Sequence, residues 1–375
     1  MSKSESPLRP RRHLSFLGHF DLPLTAVVLC LAGIGLTGVY SATLHGAQSN
    51  LFVKQIVWIC AGTALFLFLN LSDYRFPTDH AFAIYAAAVL SLVAVLAFGT
   101  EVHGSRSWIR VGGVGFQPSE FAKVAVVLVL ARYLAGQQEA YLSKTRILTL
   151  TGLALCPAVL VMMQGDLGTA LTYFPILMGT MFVAGMRLRR VFQAAILSLV
   201  SAPFVWFALK DYQQQRILVT LNPSLDPQGV GYQTSQSIIA VGSSGLAGKG
   251  FGQGFQSQLG FVPEIYSDFV YALLTEEWGL LGGGLILSLY LLLFQRLAWI
   301  GGQARDRSGI LIVTGVASLI GFHVMVNVGM SLGICPPIGI PLPLLSYGGS
   351  STVGFLICLG LAASVYRRRF IYADP

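Results

Sequence analysis

Ten runs of apolar residues, near 22–44, 52–70, 80–99, 119–135, 147–164, 167–185, 190–209, 268–295, 309–332 and 348–366, take up most of the chain. A bilayer core about 30 Å thick requires roughly 20 apolar residues of helix to cross it. Within hydrocarbon the backbone must satisfy its own hydrogen bonds, so uninterrupted runs of this length select helices over sheets. The expected fold is therefore an all-α polytopic integral membrane protein with about ten transmembrane helices. Only 11% of residues are charged, where a soluble domain carries roughly 25%.

The net charge of +8 follows from topology. With the N-terminus placed inside, seventeen of the 24 Lys and Arg residues fall on inner segments, among them Arg187, Arg189, Arg190, Arg305, Arg307 and Arg367 to Arg369. Lys54, Arg106, Arg110, Lys123, Lys210, Arg216 and Lys249 fall outside. This bias predicts an N-in, C-in chain, and no nucleic-acid partner is needed to explain the charge. Residues 1–20 read as a cytoplasmic tail, 21–366 as one membrane domain containing a large extracytoplasmic loop at 210–262, and 367–375 as a second cytoplasmic tail. The first apolar run is too long for a cleaved leader and reads as a signal anchor. The five cysteines have neither paired nor metal-ligand spacing and are expected to be buried thiols.

Polar residues concentrate in a few stretches. In the irregular loop Glu101 to Lys123, Pro118 suits the first turn of a helix. Glu120 and Lys123 then share one helix face, either as an intrahelical ion pair or as the frame of a polar cavity open to the outer surface. Asp166, in QGDLGTAL, can cap the next helix or hold a cation. The glycine-rich loop 210–262 is too long and too aromatic to be a passive linker, and it lacks the strand and GK[ST] ending of a phosphate loop.

After that loop, four acids fall within fourteen residues: Glu264, Asp268, Glu276 and Glu277. Ser267 is the expected N-cap of a helix from Asp268 to about Gln295, which puts Asp268 at the membrane mouth and the two glutamates ~12 Å deeper. Acids at that depth are functional candidates by default, with an internal hydrogen-bond network as the structural alternative. His323 and Asn327 lie four apart on one face of the ninth run, where a histidine is more often a satisfied packing residue than a ligand. Pro336, Pro337, Pro341 and Pro343 forbid a regular helix in the apolar segment Gly333 to Ser351, which is expected to dip back into the membrane and offer Ser346, Tyr347 and bare amides to a ligand.

Several of these motifs occur together in one family. GSRSWI with FQPSEFAK, QGDLGTAL, DPQGVGYQTSQSIIAVGSSGLAGKG, FVPEIYSDFVYALLTEEWG and PPIGIPLPLLSYGGSS make the chain resemble the SEDS proteins (shape, elongation, division and sporulation) over essentially its whole length, and the elongation branch more than the division branch. Tyr266 and Ser267 stand where the family commonly has His-Thr, and Gly165 where it commonly has Pro.

The resemblance implies a ten-span peptidoglycan glycosyltransferase that polymerises lipid II into glycan strands at the outer face of the cytoplasmic (inner) membrane during elongation. It implies a class B penicillin-binding protein as partner and places the family's essential acid on Asp268. Such a reaction inverts an α-linked donor, so one base suffices, and a departing pyrophosphate needs cations more than a strong acid. Asp268 is the expected base; Lys123, Arg216, Lys249, Arg106 and Arg110 are the available cations. A bound divalent ion, Mg or Mn, is the alternative to these cations, and Asp166 or Glu264 could support it; no cofactor is required. Two other functions fit the composition: a lipid-linked precursor flippase, kept open by Glu276 and Glu277, and a non-catalytic scaffold for the penicillin-binding protein.

Overall fold

The computed structural model describes residues 20–371 except 45–49, 103, 112–113, 137–140, 188, most of 191–210, 222–225, 227–228 and 263. Most of the expected span at 190–209 lies outside the described residues. In chain order, α1 (Leu22–Thr43), α2 (Asn50–Leu71), the short α3 (Arg75–Asp79) and α4 (Ala81–Phe98) lead to three strands, β1 (Thr100–Val102), β2 (Ser105–Val111) and β3 (Val114–Phe116). Then come α5 (Pro118–Ala135), α6 (Lys144–Met163), α7 (Leu167–Leu171), α8 (Tyr173–Val183), α9 (Asp211–Leu221), α10 (Val230–Gly242) and α11 (Phe255–Gln258). The last three helices are α12 (Val270–Gln303), α13 (Arg307–Ser331) and α14 (Gly349–Ile371).

Helices α1, α2, α4, α6, α12, α13 and α14 are long and apolar enough to cross a membrane, and α7 with α8 forms a shorter apolar helix. Helix α5 carries Glu120, Lys123 and Arg132 and lies at the centre, its residues Ala122 to Ala131 all buried. Encirclement by other helices is what requires Glu120 and Lys123 to pair with each other, whereas Arg132, at the far end of the helix, is exposed and pairs with Asp79. Helix α14 is the second inner helix and packs closely on α2: Gly360 abuts the backbone of Phe66, and Gly62 faces Leu356. Small residues at such crossings let helices approach where lipid offers no hydrophobic drive.

Both ends of the described chain meet at one pole of the bundle. Asp21 caps α1 by accepting from the Leu24 amide at 3.0 Å and also binds Arg296 Nε at 3.0 Å. Arg296 in turn lies over Trp299 at 4.1 Å and Tyr366 at 5.1 Å, so the start of α1 and the end of α14 share a partner. Asp306, which caps α13, accepts from the Tyr74 hydroxyl at 2.5 Å. This is the arginine pole; the loops gather at the other.

At the loop pole the structure departs from the sequence reading. The segment expected to be irregular before α5 is an antiparallel sheet in the order β1-β2-β3. The long loop contains α9, α10 and α11. Helix α12 starts at Val270 instead of Asp268, runs on to Gln303 and breaks at Gly279 (φ 73°, ψ −171°). The break frees backbone groups that the loop then satisfies: Lys249 and Gly250 amides donate to the Glu276 and Glu277 carbonyls at 3.0 Å each, and the Leu280 amide donates to Gly245 O at 2.9 Å. Only glycine suits position 279, because a β-carbon there would strike Gly248 N and Leu246 O as well as occupy the left-handed region.

The proline-rich segment, expected to be re-entrant, is non-helical as its prolines require and folds into the bundle. Its residues Ile340, Leu342, Leu344 and Leu345 are buried, and the Leu344 carbonyl lies against Gly35 in the middle of α1. The Tyr290 hydroxyl donates to Pro343 O at 2.5 Å, satisfying a carbonyl that no helix serves.

Candidate active site

Asp268 sits in a turn. Its amide and that of Ser267 donate to Glu264 O at 3.0 and 3.1 Å, and Glu264 itself adopts φ 53°. Ser267 is therefore no N-cap: its hydroxyl points back to Glu264 O at 3.2 Å, and Phe269 occupies the cap position. Tertiary partners decide this. The Tyr266 carbonyl accepts from Tyr347 N at 2.8 Å and the Asp268 carbonyl from Asn327 Nδ2 at 2.9 Å, so both are held toward the re-entrant segment and α13. The Asp268 side chain is half-buried against Gly339, where a β-carbon would stand 3.6 Å from Oδ2. Tyr266 packs edge-on to Tyr347 with centroids 5.8 Å apart; partial burial, then the Glu264 carboxylate beside it, push its hydroxyl well above the usual phenol range, so it remains a donor.

The same re-entrant segment gathers two more candidates. Arg216, on α9, donates from Nη1 to Pro337 O at 3.2 Å, two residues from the glycine that faces Asp268. Gly168 of α7 lies against the Ile338 carbonyl, next to Gly339 again. Asp166 caps α7 by accepting from Thr169 N at 2.9 Å, and its other oxygen accepts from Gln117 Nε2 at 3.1 Å. The β2 strand completes the rim, with Arg106 N donating to Gln164 O at 2.9 Å and the Arg106 and Arg110 side chains exposed. Beneath this rim an apolar groove of about 260 Å³ runs between α6 and α7–α8, lined by Ala158, Met162, Leu167 and Phe174 among others.

Four expected cavity residues stand elsewhere or face inward. Lys123 is 1% exposed and pairs with Glu120 at 2.8 Å, so the pair does not frame an open cavity and Lys123 offers no outer-face cation. Its ammonium also donates to His323 Nε2 at 3.4 Å and lies 5.5 Å from the Phe355 ring centroid, a site formed because α5 is enclosed on all sides. Lys249 binds Glu276 Oε1 at 2.7 Å and Ser243 Oγ at 2.8 Å, which spends it on the loop dock. Ser346 is buried, and its Oγ accepts from Leu342 N at 2.8 Å inside its own turn, so it faces inward. The deep glutamates form the internal network: Glu276 accepts from Gln256 N and Ser257 N as well as Lys249, and Glu277 from Ser41 and Gln258.

Among the described residues no three His, Cys, Asp or Glu side chains converge as metal ligands. Cys30, Cys60 and Cys156 are exposed on helix surfaces instead of buried, a consequence of spans that face lipid. Sequence reading also missed Gln55. It is buried on α2 and clamps the other end of the re-entrant segment, accepting from Gly348 N at 3.2 Å and donating to Ser346 O at 3.3 Å. A lone glutamine inside an apolar run was the available signal.

A family model for cell cycle proteins of the FtsW, RodA and SpoVE type matches residues 21–370. The chain belongs to this family. It is 36% identical to the peptidoglycan glycosyltransferase MrdB of Escherichia coli K12, with 94% of each chain covered. It is 34% identical to the peptidoglycan glycosyltransferase RodA of Treponema pallidum over 93% of this chain and 98% of that one. Among solved structures, a RodA from Thermus thermophilus matches with a TM-score of 0.71 at 29% identity, covering 95% of this chain and 98% of that one. A chain from a study of how a peptidoglycan synthase complex coordinates polymerization and crosslinking matches with a TM-score of 0.81 at 32% identity, covering 95% and 99%. The family places the chain among multi-pass membrane proteins, in accord with its helices.

Proposed function

We propose that this chain is a peptidoglycan glycosyltransferase of the elongation type, polymerising lipid II at the outer face of the cytoplasmic membrane beside a class B penicillin-binding protein. The observation that carries the reading is the placement of Asp268: a half-buried carboxylate at the loop pole, on a turn held by α13 and the re-entrant segment. Asp268 serves as general base, taking the proton from the acceptor sugar hydroxyl as its oxygen attacks the anomeric carbon and the polyprenyl pyrophosphate leaves. Arg216 donates to the carbonyl of Pro337 in that segment, and Arg106 and Arg110 are exposed on the rim, so these three are assigned to the pyrophosphate. The apolar groove beneath the rim suits a polyprenyl tail. A divalent ion would find Asp268 and Glu264 within one turn but, among the described residues, no third acid, so no step is routed through it. The arginine pole faces the cytoplasm under the positive-inside rule.

The flippase reading weakens because Glu276 and Glu277, its main support, are spent holding the loop. The test is glycan-strand formation from purified lipid II, with and without the cognate penicillin-binding protein, by wild type and Asp268→Asn. Polymer from wild type and none from a folded Asp268→Asn is the expected outcome. An Asp268→Asn protein as active as wild type refutes the assignment of the base.

A further inference from the structure

Asn327 has no part in the reaction as proposed, yet it touches both elements that define the site. It is fully buried on α13, and its single carboxamide nitrogen donates to two main-chain carbonyls, Asp268 O at 2.9 Å and Ile340 O at 2.8 Å. The orientation of the amide is fixed by these partners, since a flipped group would set its oxygen against two carbonyls that can only accept. The opposite oxygen, Oδ1, is buried with no protein partner, so the residue acts as a donor only. One turn before it, His323 Nδ1 donates to Pro341 O at 2.9 Å while Nε2 accepts from Lys123. Two successive carbonyls of the re-entrant segment, at 340 and 341, are thus held by side chains from one face of α13, and the carbonyl of the acid itself by the first of them.

We propose that Asn327 is a positioning residue for Asp268: its carboxamide sets the gap between the acid-bearing turn and the re-entrant segment, and so the placement of the carboxylate against Gly339. Within the turn the amides of Ser267 and Asp268 are tied to Glu264 O, and across to the re-entrant segment the Tyr266 carbonyl is tied to Tyr347 N; the bond from Asn327 ties the turn to α13. Asp268 precedes the first helical residue of α12, so no α12 ladder fixes its carbonyl, and Asn327 supplies that bond in its place. Because Ile340 lies next to Gly339, any slackening of the bracket moves the carboxylate relative to the segment it faces. Misplacement of a reacting group by about 1 Å costs on the order of a hundredfold in rate. The inference rests on the proposed role of Asp268 and assigns Asn327 no contact with substrate.

Asn327→Ala, in the full chain with its penicillin-binding partner, is expected to lower kcat for lipid II polymerisation about 10- to 100-fold with KM within about twofold of wild type. Ser331→Ala serves as the control. It removes a buried hydroxyl that donates to Asn327 O at 3.1 Å one turn away and is expected to leave kcat unchanged. Asn327→Asp gives a readout that loosened packing would not: its carboxyl donates only when protonated, so its activity relative to wild type rises as pH falls from about 8 to about 5. Wild-type kcat in Asn327→Ala, or equal kcat losses in Asn327→Ala and Ser331→Ala, overturns the proposal. Should Asn327→Ala fail to fold, an Asn327→Asp profile parallel to wild type overturns it. The two assignments fail separately: active Asp268→Asn removes the base, whereas inactive Asp268→Asn beside a fully active Asn327→Ala removes only the bracket.

Discussion

The dock between the long loop and the broken helix α12 yields a quantitative prediction. Glu276 is fully buried, and its carboxylate accepts from Lys249 Nζ at 2.7 Å, Gln256 N at 2.9 Å and Ser257 N at 3.0 Å. Glu276→Ala strands all three donors. Bonds to a charged acceptor contribute about 1.5–3 kcal/mol each, but they are not additive, and water can reach Lys249, whose side chain is 27% exposed. The net cost is then about 3–5 kcal/mol, the range found when one partner of a buried ion pair is removed. At about 1.4 kcal/mol per tenfold, local opening becomes about 10² to 4 × 10³ times more frequent. Hydrogen exchange on the segment 250–260 in lipid nanodiscs reads this directly, because the amides of Gln256 and Ser257 are both donors to the carboxylate. Lys249→Met, which leaves Glu276 its two backbone donors, should cost less, about 1.5–3 kcal/mol. Exchange within about threefold of wild type in Glu276→Ala would refute the claim that this carboxylate holds the loop down.

Three further outcomes follow from the same geometry. Lys123→Met leaves Glu120 charged and enclosed and should destabilise the bundle by about 3–5 kcal/mol, whereas Glu120→Gln with Lys123→Met should recover much of that; thermal unfolding of the purified variants checks it. Asp166→Asn keeps the cap of α7 and should hold activity within about twofold, while Asp166→Ala loses about 1 kcal/mol; loss of activity in Asp166→Asn would mean that the charge itself is used. Gly168→Ala sets a methyl into the Ile338 carbonyl and should lower stability by about 1–3 kcal/mol, read as a drop in melting temperature.

How far the sequence could be read depended on whether a residue answers to its neighbours in the chain or across the bundle. The long apolar helices among the described residues were legible because a run of twenty apolar residues has one membrane solution. The cap at Asp166 was also legible as one of two readings, since capping acts over three residues. Ser267 looked equally suited to cap and does not, because the carbonyls of Tyr266 and Asp268 are claimed by Tyr347 and Asn327, which lie about 60 to 80 residues on. The break at Gly279 was hidden for the same reason: WGLLGGG reads as an ordinary flexible helix until the strand of loop at 245–250 is there to pair with it.

Charge misled where burial decided the outcome. Lys123, Lys249 and Arg216 are equivalent as outer cations on paper, but one is sealed beside Glu120, one is bound to Glu276, and one reaches the re-entrant segment next to Asp268. A buried cation costs several kcal/mol to desolvate and persists only with a partner, so the acids deep in this bundle are better explained by what they hold than by what they could catalyse. Glu120 holds Lys123 at the centre of the bundle, Glu276 and Glu277 hold the loop, and Asp166 holds a helix start. Asp268 differs in placement: it is half-buried at the loop pole, its own carbonyl is fixed by a side chain of another helix, and its carboxylate faces a glycine that leaves room beside it. That contrast is the physical reason for assigning the chemistry to this acid and the architecture to the others.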